Sequence, residues 1–114
     1  SSLFISTTGN VGIGTTTPNW NLQIAGTRPF FTLSDTSAGT DSKHWFMSSQ
    51  GGNFYMGTSS DSLTSTSTYL TINGSTGYVG IGTTAPTVAL EVGSVAAGGN
   101  VKINATKYKK GEQK

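Results

Sequence analysis

One segment of this chain is written twice. Shifting the sequence by 68 residues lays T-G-N-V-G-I-G-T-T-T-P-N-W-N-L-Q-I (8–24) on T-G-Y-V-G-I-G-T-T-A-P-T-V-A-L-E-V (76–92), and ten of the 17 positions are identical. The likeness extends upstream, where L-F-I-S (3–6) parallels L-T-I-N (70–73). A repeat of this quality is one structural unit used twice, and any fold proposed for the chain must accommodate it in both places.

Each copy reads as strands and turns. Leu3 and Ile5, then Leu70 and Ile72, alternate at the two-residue period of a strand that buries one face. Turn residues follow at 7–10 and 73–77, where Gly and Asn accept positive φ. In the Val-Gly-Ile-Gly step, Val11 and Ile13 (Val79 and Ile81 in the second copy) share one face, while Gly12 and Gly14 (Gly80 and Gly82) take the other. Glycine weakens a strand interior, so its use there predicts that another backbone comes close to those four positions. One candidate for that neighbour is a symmetry axis on which three chains crowd together. Thr-Thr-x-Pro then ends the strand, because Pro18 and Pro86 lack an amide hydrogen. Leu22 and Ile24, with Leu90 and Val92, supply a second short alternating strand closed by Gly26 or Gly93.

Between the copies, Phe31 and Leu33 alternate, and residues 43–48 and 53–57 flank Ser49-Gln50-Gly51-Gly52 in the pattern of a β-hairpin. The run 58–68 is rich in Ser and Thr and reads as a surface loop, and 100–104 as a further short strand. The organisation expected is a first repeat (1–26), a hairpin-containing middle (27–68), a second repeat (69–93), and a short strand with a tail (94–114). Composition agrees with an all-β chain of short strands and tight turns. Half of the 114 residues are Gly, Ser, Thr or Asn, and Thr is the commonest of all. The start at Ser1 and the polar end suggest a piece of a longer protein.

The string G-N-V-G-I-G-T-T-T-P followed by L-x-I resembles a repeat of phage tail fibres, tail spikes and large bacterial surface proteins. The resemblance covers the two copies and leaves 27–68 uncovered. It implies an elongated, interwoven homotrimeric fibre module placed extracellularly, on a virion tail or a bacterial surface, with host attachment or adhesion as the wider task. Some such fibres end in a self-cleaving chaperone that carries a D-x-R-x-K element. Nothing here matches it: the one arginine, Arg28, is followed by Pro29 and Phe30, so no self-cleavage is expected.

The residues support association on their own account. Each repeat offers only about four large apolar side chains, too few for a closed core, and its strand edges call for partners. Val11, Ile13, Leu22, Ile24, Val79, Ile81, Leu90 and Val92 are the expected trimer or core packing positions.

Enzymatic and cofactor functions find no footing. Gly12-Ile13-Gly14 lacks the third glycine of a dinucleotide fingerprint and Pro18 blocks the helix it requires, while a phosphate loop motif is missing. His44 is the single histidine, without partners at metal-ligand or triad spacing. Asp35, Asp41 and Asp61 lie in Ser/Thr-rich turns that such side chains cap. No cofactor and no metal are expected. The net charge of +2 comes from residues 102–114, which carry five lysines against Glu112, whereas 1–101 sum to −2. The basic pI is therefore no evidence of nucleic-acid binding by the body, and no specific nucleic acid is expected. No apolar run approaches the roughly 18 residues of a membrane span.

The aromatic hairpin carries the one alternative of another class. Trp45, Phe46, Phe54 and Tyr55 are expected to pack as core, as is Trp20, the counterpart of Val88. The rival reading is a monomeric carbohydrate-binding module, in which Trp45 and Tyr55 stack on a cell-surface glycan and Asn53, Asp41 and His44 supply hydrogen bonds. A subunit of an open extracellular filament is the remaining alternative.

Overall fold

The computed structural model describes residues 3–93; the strand expected at 100–104 and the basic tail lie outside the described residues. Among those described there are nine strands and no helix, as an all-β chain requires. A three-stranded sheet comprises β1 (Leu3–Ile5), β2 (Val11–Ile13) and β3 (Leu22–Ile24). A six-stranded sheet follows in chain order: β4 (Phe30–Ser34), β5 (His44–Gln50), β6 (Asn53–Ser59), β7 (Thr66–Ile72), β8 (Val79–Ile81) and β9 (Leu90–Val92).

The strands of the two repeats pair in the same register. In each, an antiparallel pair is followed by a strand that runs parallel to the second: β1–β2–β3 in one copy, the end of β7 with β8 and β9 in the other. Val11 lies opposite Leu22 and Ile13 opposite Ile24, just as Val79 lies opposite Leu90 and Ile81 opposite Val92. Parallel neighbours normally need a crossover of about a dozen residues or more, commonly a helix. Here residues 14–21 and 82–89 suffice.

Side-chain and backbone bonds within the connector make that economy possible. Gly14 and Gly82, at φ 79° and 77°, turn the chain out of the strand in a conformation that a Cβ disfavours. The hydroxyl of Thr15 accepts the N–H of Thr17 at 3.2 Å, and that of Thr83 accepts the N–H of Ala85 at 3.3 Å. At the far end, Gln23 Oε1 accepts the N–H of Asn19 at 3.0 Å, and Glu91 Oε2 accepts the N–H of Thr87 at 2.8 Å. Pro18 and Pro86 are both buried beneath this turn.

The connector lies directly over the central glycine of the strand. A Cβ at Gly12 would run into the carbonyl oxygen of Thr15, and one at Gly80 into that of Thr83. A Cβ at Gly14 would meet the carbonyl oxygen of Ala25, whereas Gly82 has only the Gly93 backbone at 3.6 Å. The close approach at Gly12 and Gly80 is thus made by the chain's own connector. This corrects the symmetry-axis expectation, because the space that three crowding chains would share is already filled from within.

The middle segment and the second repeat form one sheet, and the boundary expected between residues 68 and 69 falls inside β7. The hairpin of β5 and β6 turns on Gly51 and Gly52, both at positive φ, which is the geometry a two-residue hairpin loop favours. The expected loop at 58–68 is shorter than its composition implies, since 58–59 finish β6 and 66–68 begin β7. Opposite Met56 and Gly57 the register slips: Met56 faces Leu70 and Gly57 faces Thr68, leaving Tyr69 as the extra residue of a bulge.

The two faces of this sheet differ sharply. One bears Phe46, 3% exposed and packed edge to face on Phe30 at 5.1 Å, with Ser48 and the fully buried Thr71. Arg28 lies over the Phe30 ring at 4.9 Å, and the connector of the second repeat covers Gly80 on the same side. Phe46 is the only large hydrophobic side chain among the described residues that reaches full burial.

The glycine cover gives a direct prediction. Gly12→Ala and Gly80→Ala should each lower stability by about 1–3 kcal/mol, the usual cost of forcing atoms into filled space. Gly26→Ala, with open space around it, should change stability by less than about 0.5 kcal/mol in the same thermal melts.

Candidate functional site

The positions expected to pack against partners stand together on the second face. In the three-stranded sheet, Leu3, Ile13 and Ile24 form one row across the strands and Ile5, Val11 and Leu22 the next. Leu70, Ile81 and Val92, then Ile72, Val79 and Leu90, form the same two rows in the other copy. Paired residues in register project to the same side of a sheet, so each copy presents six aliphatic side chains on one face. That face is open to solvent in the single chain: Leu90 is 60% exposed, and Leu3, Ile5, Ile13, Leu22 and Ile81 are exposed with it. The covering connectors lie on the reverse side.

The residues of the proposed glycan patch do not come together. His44 and Tyr55 belong to the Phe46 face and Asn53 shares their parity, whereas Trp45 projects from the opposite face. Nδ2 of Asn53 donates to the Tyr55 hydroxyl at 3.1 Å, and its Oδ1 accepts the N–H of Gly74 at 3.0 Å. His44 Nδ1 shares a hydrogen bond with Ser34 Oγ at 2.8 Å. These polar groups serve the sheet and its turns. Strand alternation, which sends neighbouring residues to opposite sides, separates them from Trp45.

Trp45 has a different neighbour, Tyr69, at 5.8 Å between ring centroids and tilted by 43°. The Tyr69 hydroxyl is hydrogen-bonded to Thr58 Oγ1 at 3.2 Å. Sequence reasoning missed Tyr69 because the bulge that positions it leaves no mark in a Ser/Thr-rich run. Trp20, expected to pack, is instead 73% exposed on the first connector.

The closed face also holds a hollow of about 220 Å³ lined by Phe30, Thr32, Phe46, Ser59, Leu63 and Thr66. Arg28 Nη2 donates to Thr66 Oγ1 at 3.4 Å beside it. Asp35, Asp41, Lys43 and Asp61 gather in the loops at one end of the sheet. Asp41 and Asp61 each accept the other's backbone N–H, at 2.8 and 3.1 Å, and Lys43 pairs with Asp61 at 3.0 Å. Asp35 accepts both the N–H and the hydroxyl of Ser37, at 3.0 and 2.6 Å. All three aspartates therefore tie down loop backbone. Asn73 does likewise in the second turn, its Oδ1 accepting from the N–H groups of Ser75 and Thr76.

Among the described residues no group of three His, Cys, Asp or Glu side chains is placed to hold a metal, and no helix is long and apolar enough to cross a membrane. Compared with known proteins, the chain matches no family model and has no significant match to a curated protein.

Acid titration should report the loop carboxylates. The hydrogen bond from Lys43 holds Asp61 below the ordinary carboxyl value of 3.8, and those from Ser37 do the same for Asp35. A depressed folded-state pKa means that the unfolded chain takes up protons first, so this stabilisation is complete above the ordinary value and is lost as pH falls through the lower folded one. Urea midpoints should show this contribution intact above about pH 5 and declining below it, with a shallower decline in Asp61→Asn. Because both groups are exposed, the decline should be modest and should shrink in high salt.

Proposed function

We propose that this chain is a structural module of a trimeric tail fibre or surface adhesin, working outside the cell and supporting attachment to a host cell or surface. The observation that carries the reading is the open aliphatic face that both repeats present. Each repeat closes one side of its sheet with its own connector and turns six aliphatic side chains to the other side, four of them exposed and two half-buried. Identical copies relieve both faces at once, and closed cyclic symmetry satisfies them without leaving a sticky surface over. Three sheets turned inward about one axis enclose an apolar core, the arrangement that the resemblance of the repeat implies. The repetition of one unit along the chain suits a shaft lengthened by adding units, each making the same contact.

The exposed Trp45–Tyr69 pair favours one second reading, a monomeric carbohydrate-binding module that stacks sugars on that pair. Light scattering coupled to size exclusion separates the two. The fibre reading predicts a mass near three times 11.8 kDa, reduced to the monomer by Val11→Asp with the far-ultraviolet β signal retained. A well-folded monomer that binds oligosaccharides and loses them on Tyr69→Ala would replace this reading with the second.

A further inference from the structure

The apolar face continues well past the repeat. Register places Phe31, Met47, Met56, Leu70, Ile81 and Val92 side by side in a single row that crosses all six strands. Three of these six belong to the middle segment, which the repeat motif does not cover. Nine of the large side chains on this face, from Ile72 to Leu33, are 36–65% exposed, while Phe54, Leu70 and Val79 are half-buried. At roughly 150–250 Å² for a large side chain, the apolar area left open is on the order of 700 Å². That exceeds the ~300–600 Å² patch of a typical monomer and approaches the ~800 Å² per partner of a stable protein interface.

The charges indicate what covers it. Among the described residues no charged side chain stands on this face: Glu91 belongs to the opposite side, Asp35, Asp41, Lys43 and Asp61 to the loops at one end, and Arg28 to the segment before β4. A charge-free apolar surface meets its own copy with neither repulsion nor buried unpaired charge. Among the described residues the face lacks the Lys- and Arg-rich flank of an interfacial membrane element. The charges of residues 3–93 sum instead to −2.

We propose that the whole apolar face of the six-stranded sheet, from β4 to β9, is an interface between copies of this chain, and that Trp45 is enclosed in it. The middle segment is then part of the assembly core and not an appendage beside it. This inference rests on the fibre reading and extends it to a surface outside the repeat.

The chain has two tryptophans, so Trp20→Phe leaves Trp45 as sole reporter. Mass by light scattering and iodide quenching of Trp45 would be measured over a dilution series, for this protein and with Met47→Glu added. The expected result is an assembled protein whose Trp45 is shielded from iodide, becoming quenchable only on dissociation. Met47→Glu should dissociate at least 100-fold more readily and retain its β signal. If that variant fails to fold, shielding of Trp45 in the parent assembly decides the matter alone. An intact assembly with Trp45 as open to iodide as the free amino acid would overturn the inference and leave the fibre reading standing. A monomer at every concentration would remove the fibre reading, and this inference with it. Trp45 shielded only on addition of neutral lipid vesicles would assign the face to a membrane instead.

Discussion

The carbonyl oxygen of Thr15 occupies the place where a side chain at position 12 would begin, and that of Thr83 does the same at position 80. Much of the architecture depends on this contact. It lets a connector of eight residues lie flat on the sheet and return the chain parallel to the strand it has just left, where a helix would otherwise be needed. Proline, a threonine turn and a Gln or Glu cap then hold the connector down by the same bonds in both copies.

One consequence is an asymmetry between the two sides of each sheet. The connector closes the glycine side with backbone and small polar groups, and this adds little to a hydrophobic core. The aliphatic side chains all project the other way, and no element of the described chain lies over them. Among the described residues Phe46 is the lone large apolar side chain to reach burial, on the side that already has a cover. A fold with its bulk on the uncovered side is half of something, and the proposed association supplies the other half. The hydrogen-bonded aspartates and the Lys43–Asp61 pair sit at the end of the sheet, where they shape loops without placing charge on the apolar face.

The repeat was legible in the sequence because its chemistry is local. Alternation at Val11 and Ile13, two glycines between them, and a proline that ends the strand specify a short strand and a stop, and both copies agree. Gly51-Gly52 announced its hairpin for the same reason. Other features depend on contacts distant in sequence and left weaker signals. The glycines called for a close neighbour, but only the fold reveals that the neighbour is their own connector. Thr66, Ser67 and Thr68 read as loop by composition, yet they pair with Thr58 and Ser59 and with Gly57 because β6 offers them a ladder. The bulge that brings Tyr69 against Trp45 needs a glycine on the facing strand, Gly57, whose missing side chain makes room for the Ser67 carbonyl. The residues named for a glycan do not share one face, since residues 44 and 45 of one strand project to opposite sides.

The absence of cysteine from the sequence makes the central claim open to a simple chemical measurement. A single thiol would be placed on the open face by Ile13→Cys, and in a second protein on the exposed connector by Thr16→Cys. The rate of modification by a water-soluble maleimide would be compared under native conditions and after dissociation by dilution. If the aliphatic face is buried between copies, the thiol at position 13 should react slowly in the assembly and rapidly once diluted, while that at position 16 reacts rapidly throughout. Equal, rapid reaction at both positions in the native protein would contradict the account, because it would mean that water, and not another copy, covers that face.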